Sequence, residues 1–224
     1  MTKAVVLFSG GQDSTTCLGW AKQQYKKVIA VGFNYGQRHT VELEQAKLIA
    51  DKLQVPFTII RVPFYGDLVD SALTGSGSVK AKHERLKHLP ASFVPNRNAF
   101  FLTIAHAVAQ KAGAEILVTG TCETDYSGYP DCRREFIDAQ EKALNLGADS
   151  SIKIVTPLMH LTKAATFALA KEVGVLEEVL ELSHTCYEGD RNSKHAWGYG
   201  CGDCPACVLR TKGWLEFKNN KGAV

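Results

Sequence analysis

Apolar residues recur along this chain in short blocks, separated by longer segments with helical spacing. Residues 4–8 (Ala4, Val5, Val6, Leu7, Phe8) form an uninterrupted, partly β-branched run. It reads as a strand buried on both faces, as in a parallel sheet. Comparable runs at 28–33, 57–62, 116–119 and 152–155 predict four more strands. Between them, residues 14–24 have helix-like composition, and 41–53 carry Leu43, Ala46, Leu48, Ile49 and Leu53 on one stripe. Residues 98–112, 135–146 and 163–173 predict three further helices. Alternating strands and helices predict an α/β fold: an open, mostly parallel five-stranded sheet with helices on both faces.

Two stretches break the pattern. Residues 66–92 hold Gly75-Ser76-Gly77-Ser78 and then a basic run with Lys80, Lys82, His83, Arg85, Lys87 and His88. Two readings stand for it: a mobile, solvated loop, or a lid that orders over an anionic ligand. After Leu182, cysteine, glycine and aromatic residues dominate through Cys207, and a short helix ending near Phe217 follows. The expected division is one α/β domain over 1–182 and a small helical, metal-binding appendage over 183–224.

Composition narrows the class only a little. The chain has 224 residues, 45% hydrophobic and 22% charged, ordinary for a soluble globular protein and ample for a core. A net charge of +3 suits small anionic ligands but is too weak for a nucleic-acid-coating protein. No apolar run approaches a membrane span, and the first apolar run is too short for a secretory signal, so a cytoplasmic protein without a membrane role is expected. Seven cysteines, an odd count, argue against a disulfide framework.

The first strand runs into Ser9-Gly10-Gly11-Gln12-Asp13-Ser14 and then a helix. Glycines let backbone N–H groups turn sharply onto an anion, and the helix start adds unpaired N–H groups and a positive dipole end. The hydroxyls of Ser9, Ser14 and Thr15 add donors. Asp13 beside phosphates calls for a cation, and Mg²⁺ bridging carboxylate and phosphate supplies one. The Walker pattern G-x-x-x-x-G-K-[ST] and the dinucleotide pattern G-x-G-x-x-G are both absent at this loop.

Cys186, Cys201, Cys204 and Cys207 offer four thiolates, the last three at two-residue gaps. Four sulfur ligands suit tetrahedral Zn²⁺, which then has no open position and a structural role. An iron–sulfur cluster is the rival, although its usual cysteine spacings do not match the whole set. Residues 119–134, after the fourth strand, crowd polar groups at a strand end, where open parallel sheets bind ligands. Asp125 and Asp131 can accept from a guanine-like edge, Tyr126 and Tyr129 can stack or donate, and Arg133 can pair with a carboxylate. A polar surface turn explains any one of them equally well. Asn98 reads as an ordinary helix N-cap.

The hexapeptide resembles the loop of the PP-loop family, the N-type ATP pyrophosphatases. Lys163, within Pro157-Leu158-Met159-His160-Leu161-Thr162-Lys163, resembles the lysine that this family brings to the phosphates from a later element. The stretches F-S-G-G-Q-D-S-T-T-C-L, Y-G-Q-R-H, F-V-P-N-R-N, T-G-T-C-E-T-D-Y-S-G-Y-P-D-C-R, T-P-L-M and the C-x2-C-x2-C tail are similar, in order, to the nitrile-forming branch of the family. That resemblance implies an adenine nucleotide alpha hydrolase-like, Rossmann-like fold and an ATP-dependent ligase of the queuosine pathway. The enzyme turns 7-carboxy-7-deazaguanine and ammonia into a nitrile through adenylated carboxylate and amide. It implies ATP contacts along Phe8, Ser9, Gly10, Gly11, Gln12, Asp13, Ser14, Thr15, Thr16, Cys17 and Leu18, and at Tyr35, Gln37, Arg38 and Arg97. Asp13 would orient Mg²⁺, and Lys163 would stabilise charge on departing pyrophosphate. Glu123, Asp125, Tyr126, Ser127, Tyr129, Asp131 and Arg133 would contact the substrate. A homodimer without direct nucleic-acid binding is implied as well. A tRNA sulfur-transfer enzyme and a non-catalytic nucleotide-binding scaffold are the alternatives.

Overall fold

A computed structural model describes residues 2–124 and 128–220. Its centre is a parallel sheet of five strands: β1 (Lys3–Leu7), β2 (Lys27–Asn34), β3 (Phe57–Arg61), β4 (Ile116–Val118) and β5 (Lys153–Val155), in the order β3-β2-β1-β4-β5. Val5 pairs in register with Ile29 on one side and Leu117 on the other. Val5 packs into the apolar layer on one face while Ala4 and Val6 pack into the layer on the opposite face. This two-sided burial is why β1 is uniformly apolar rather than alternating.

Five helices connect and cover the strands: α1 (Gln12–Gln24), α2 (Val41–Lys52), the single turn α3 (Phe64–Asp67), α4 (Arg97–Ala112) and α5 (Arg134–Ala148). The five predicted strands are all present within a residue or two of their expected ends. Helix α1 starts two residues before its expected start, because Gly11 is extended (φ −78°, ψ 170°) and serves as the N-cap. Asn98, expected as an N-cap, lies inside α4. Asn96 takes the cap position in a left-handed conformation (φ 57°, ψ 17°), and the Asp131 carboxylate accepts from the Asn98 N–H at 3.0 Å. A partner more than thirty positions away in the chain caps this helix, which local sequence cannot reveal.

The segment 66–92 is neither open nor unstructured. Ala72 N–H donates to Ala91 O at 2.9 Å, His83 N–H donates to Leu89 O at 2.9 Å, and Val79 and Leu89 are buried. Lys80 pairs with Asp203, and Val79 joins the apolar cluster that contains Cys186, Cys204 and Cys207. The apolar anchors are too sparse for any periodic signal, so the stretch reads as polar.

Helices α6 (Lys163–Glu172) and α7 (Leu176–Glu181), the hairpin β6 (Lys194–His195) and β7 (Gly198–Tyr199), and α8 (Pro205–Asn219) complete the described chain. The expected short terminal helix is four turns long and starts on Pro205, whose missing N–H costs nothing in the first turn. Phe167 of α6 meets Trp214 of α8 edge-on at 5.2 Å. The two helices nearly touch at Gly213, where an added Cβ would lie 2.6 Å from Lys163 Cβ. No helix among the described residues is long and apolar enough to cross a membrane.

Candidate active site

Because β2 and β3 lie on one side of β1 while β4 and β5 lie on the other, the carboxyl ends of β1 and β4 open onto a crevice. A cavity of about 350 Å³ occupies it. Its floor is the loop after β1. The Ser9 N–H and hydroxyl lie 3.3 and 3.2 Å from Ser14 Oγ, and the Ser14 hydroxyl donates to Gly11 O at 3.2 Å. These bonds hold the turn closed while the first N–H groups of α1 keep no side-chain cap. Gly10, at φ +83°, sits against α2: a Cβ there would be 2.5 Å from Glu42 O. Only glycine satisfies both the left-handed backbone and that contact.

Lys163, at the start of α6, donates to both carboxylate oxygens of Asp13 at 2.9 and 2.8 Å. The two residues lie 150 positions apart, and Gly213 lets α8 press on α6 at Lys163. Arg38, Arg97 and Arg210 also line the cavity, against two carboxylates, Asp13 and Glu42, so the basin is positive overall. Phe33 and Phe101, stacked at 4.3 Å with Tyr35 edge-on to Phe101, give one wall an apolar face suited to a planar base.

Of the residues expected to hold nucleotide, Phe8, Ser9, Gly11, Gln12, Asp13, Ser14, Tyr35, Gln37, Arg38 and Arg97 line this cavity, as does Lys163. Gly10 turns the chain beneath it. Thr15, Thr16, Cys17 and Leu18 do not line it: Cys17 and Leu18 pack in the core, and the Thr16 hydroxyl donates to Gln12 O at 2.9 Å. Two buried polar atoms at the loop, Gln12 Nε2 and Thr15 Oγ1, have no hydrogen-bond partner among the described residues.

The expected substrate residues divide differently. Tyr129 lines the cavity and bonds Ser92 Oγ at 2.7 Å. Asp131 is buried as the α4 cap described above, and Arg133 is exposed on the outside at the α5 N-terminus, so neither faces the cavity. Glu123 accepts from Arg134 N–H at 3.0 Å and meets His160 Nδ1 at 3.0 Å, which anchors α5 outside the cavity. Asp125, Tyr126 and Ser127 lie outside the described residues. Helix capping took Glu123 and Asp131, a role indistinguishable by sequence from ligand contact.

Several lining residues gave no sequence signal: Glu42, Thr121, His184, Tyr187 and Arg210. Glu42 accepts from Gln37 Nε2 at 3.2 Å, and burial raises its carboxyl to about 7, against the opposing pull of Arg97 and the Gln37 bond. Arg210 is fully buried and donates to Trp197 O, Thr185 Oγ1, Val179 O and Ser183 Oγ, with burial lowering its pKa to about 10. Cys132 also lines the cavity, but burial pushes its thiol up to about 12, which leaves it unreactive as a nucleophile.

The sulfurs of Cys186, Cys201, Cys204 and Cys207 all lie within 4.8 Å of one another. Cys201 and Cys207 Sγ are 3.9 Å apart, close to the edge of a tetrahedron with metal–sulfur bonds of about 2.3 Å. Backbone N–H groups of Cys201 and Cys204 point at Cys186 and Cys201 sulfur at 3.4 and 3.3 Å, a charge-stabilising arrangement for thiolates. The set therefore fits zinc. Cys186 also lines the cavity beside α8, so the four-cysteine knot braces the wall that carries Arg210.

A parallel α/β sheet with an uncapped glycine turn at its central strand and a converging lysine defines a nucleotide-binding protein of the PP-loop class. Residues 3–218 match the family described as Queuosine biosynthesis protein QueC, and the chain belongs to that family. It is 59% identical over 217 residues to a 7-cyano-7-deazaguanine synthase of Wolinella succinogenes, covering 96% of this chain and 93% of the relative. It is 53% identical to the synthase of Helicobacter pylori strain Shi470, covering 96% of each. The solved structure of a 4-thiouridine synthetase in complex with RNA and ATP shares the fold (TM-score 0.52, 17% identity, 96% of this chain and 53% of that one). So does NMN synthetase from Francisella tularensis (TM-score 0.51, 19% identity, 79% of this chain and 63% of that one).

Proposed function

We propose that this enzyme converts 7-carboxy-7-deazaguanine and ammonia into 7-cyano-7-deazaguanine, using ATP twice. The observation that supports it most is the family membership over 3–218 combined with a positive cavity at the phosphate turn. A carboxylate is a poor electrophile. Transfer of AMP to its oxygen makes that oxygen a leaving group, which ammonia displaces to give the amide. A second AMP transfer to the amide oxygen allows loss of AMP and formation of the nitrile.

The chain's share is positioning and charge stabilisation. The N–H groups after Gly11 and the Ser9 and Ser14 hydroxyls cradle the phosphates, with Gln12 Nε2 as a spare donor at the loop. Lys163 offsets charge on the departing pyrophosphate and holds Asp13 in place beforehand. Asp13 would hold Mg²⁺ beside the phosphates once its carboxylate is shared between that ion and Lys163. That ion would neutralise phosphate charge. The base stacks near Phe33 and Phe101, and Tyr129 marks the substrate end. Zinc on the four cysteines is structural. Residues 183–224 form the zinc-binding region packed on a 1–182 domain, and the enzyme works as a cytoplasmic homodimer without binding nucleic acid directly.

The sulfur-transfer alternative needs a persulfide-forming cysteine or an iron–sulfur centre; the raised Cys132 thiol counts against the first, and a colourless protein with one bound zinc would count against the second. Incubation with ATP, Mg²⁺, ammonium and 7-carboxy-7-deazaguanine, followed by mass spectrometry, should give the amide and then the nitrile. Absence of both products overturns this function.

A further inference from the structure

The proposed reaction has an unassigned requirement. Ammonium brings four N–H bonds and the nitrile keeps none, so every proton on the nitrogen must leave within the two half-reactions. A proton acceptor has to stand in the cavity. Among the described residues, two carboxylates line it. Both oxygens of Asp13 accept hydrogen bonds from Lys163, so neither stands open towards the nitrogen. Glu42 differs. It is half-buried at the start of α2, and its Oε1 accepts a single side-chain hydrogen bond, from Gln37. Gln37 is fixed in turn: its Nε2 donates to Phe33 O at 3.3 Å and its Oε1 accepts from Tyr35 N–H at 2.9 Å. The backbone of Glu42 abuts Gly10, and Glu42 lines the same cavity as Ser9, Gly11 and Ser14 of the phosphate turn.

We propose that Glu42 is the proton acceptor for the nitrogen in both half-reactions. In the first, its free carboxylate oxygen takes a proton from ammonium. The nitrogen lone pair then forms the C–N bond, a second proton passes from that nitrogen to the carboxylate once the first has gone to solvent, and the C–O bond breaks with its electron pair leaving on AMP, which leaves the neutral amide. In the second, the carboxylate takes first one and then the other N–H proton from the cationic O-adenylated amide. The N–H electron pair completes the C≡N bond as the second C–O bond breaks to AMP, and each proton passes on to solvent. A general base works best with a pKa near the working pH, and burial places Glu42 there, at about 7. Arg97 from α4 and Tyr35 on the preceding loop interact with it by charge, and Arg38, His39, Asp13 and Lys163 are among the other titratable groups on the same cavity. Arg97 pulls the Glu42 pKa back down, which keeps part of the carboxylate ionised at neutral pH.

This inference rests on the proposed function, and the Glu42→Gln variant separates the two. Glutamine keeps the oxygen that accepts from Gln37. Exchange of labelled pyrophosphate into ATP with 7-carboxy-7-deazaguanine, in the absence of ammonium, reports adenylation alone. The variant should exchange within about threefold of the unsubstituted enzyme. Its amide formation at pH 7 should fall about 100-fold or more, the usual weight of a general base. Above the pKa of ammonium, where free ammonia forms unaided, most of that loss in amide formation should disappear. Glu42→Asp should recover part of the rate at pH 7. Unchanged amide formation at pH 7 overturns the role. So does an equal loss at neutral and alkaline pH, or a raised KM for ATP with parallel loss of exchange, which would mark a structural or nucleotide-binding residue. No exchange in the unsubstituted enzyme would instead overturn the function itself.

Discussion

Replacing Arg210 by methionine tests how the wall of the cavity is held. The guanidinium is 1% exposed and makes four hydrogen bonds, two of them to the backbone carbonyls of Trp197 and Val179. Val179 O keeps a second donor, the Ser183 hydroxyl at 2.6 Å, and Thr185 sits on the cavity, where water can replace the lost donor. Trp197 O is the group left stranded, at about 1–3 kcal/mol, and the other three bonds contribute about 1 kcal/mol each. Against this, the variant no longer buries a charge. Burial lowers the Arg210 pKa from 12.5 to about 10, so relief of about 3 kcal/mol is returned. The net loss is about 1–3 kcal/mol. With a urea slope of about 2–3 kcal/mol per molar for a chain of this size, the midpoint should fall by about 0.4–1.2 M. Arg210→Lys should be no better than methionine, because a compact, strongly hydrated ammonium cannot span four acceptors. Equilibrium urea unfolding of the zinc-loaded proteins, followed by tryptophan fluorescence, measures both. A midpoint within about 0.3 M of the parent for methionine, or a parent-like lysine variant, would refute this account.

Three further predictions are independent of that one. Gly10→Ala places a Cβ 2.5 Å from Glu42 O at φ +83°, so pyrophosphate exchange should drop at least about 10-fold and calorimetry should find a lower Tm. Zinc analysis should find one ion per chain and no visible absorbance, and Cys207→Ser or prolonged chelation should lower the Tm and loosen α8, read as faster amide exchange over 205–219. The carboxyl of Glu42 is raised from 4.5 to about 7, so the fold binds its proton more tightly than the unfolded chain does. Glu42 therefore costs stability as pH rises through that window. Glu42→Gln should be more stable than the parent at pH 8, by at most about 3 kcal/mol and less where solvent screens the site, with the difference shrinking towards pH 4.5. A stability difference that grows on acidification would contradict the sign.

The sequence by itself determined the sheet and the phosphate turn. β1, β2, β4 and β5 carry buried apolar residues, β3 is apolar and β-branched at the sheet edge, and the helices alternate with them, so local composition carries their positions. The turn was legible because Gly10 and Gly11 do work that only a small, backbone-permissive residue can do, directly after a buried strand. The four cysteines were legible because thiolates at two-residue gaps fit one ion with few alternatives.

Only the tertiary structure decided which polar side chains face the cavity. Asp131 and Arg133 have the right chemistry for substrate contacts, but one caps α4 and the other points outward. Glu42 and Arg210 looked like ordinary helix residues until α2 met Gly10 and α8 met the loop before Cys186. The segment 66–92 looked polar because its few apolar anchors are spaced by its contact with the cysteine region rather than by a helix or strand period. The physical reason is common to all of these. Secondary structure follows from neighbours in sequence, whereas burial and charge pairing depend on partners as distant as Lys163 is from Asp13.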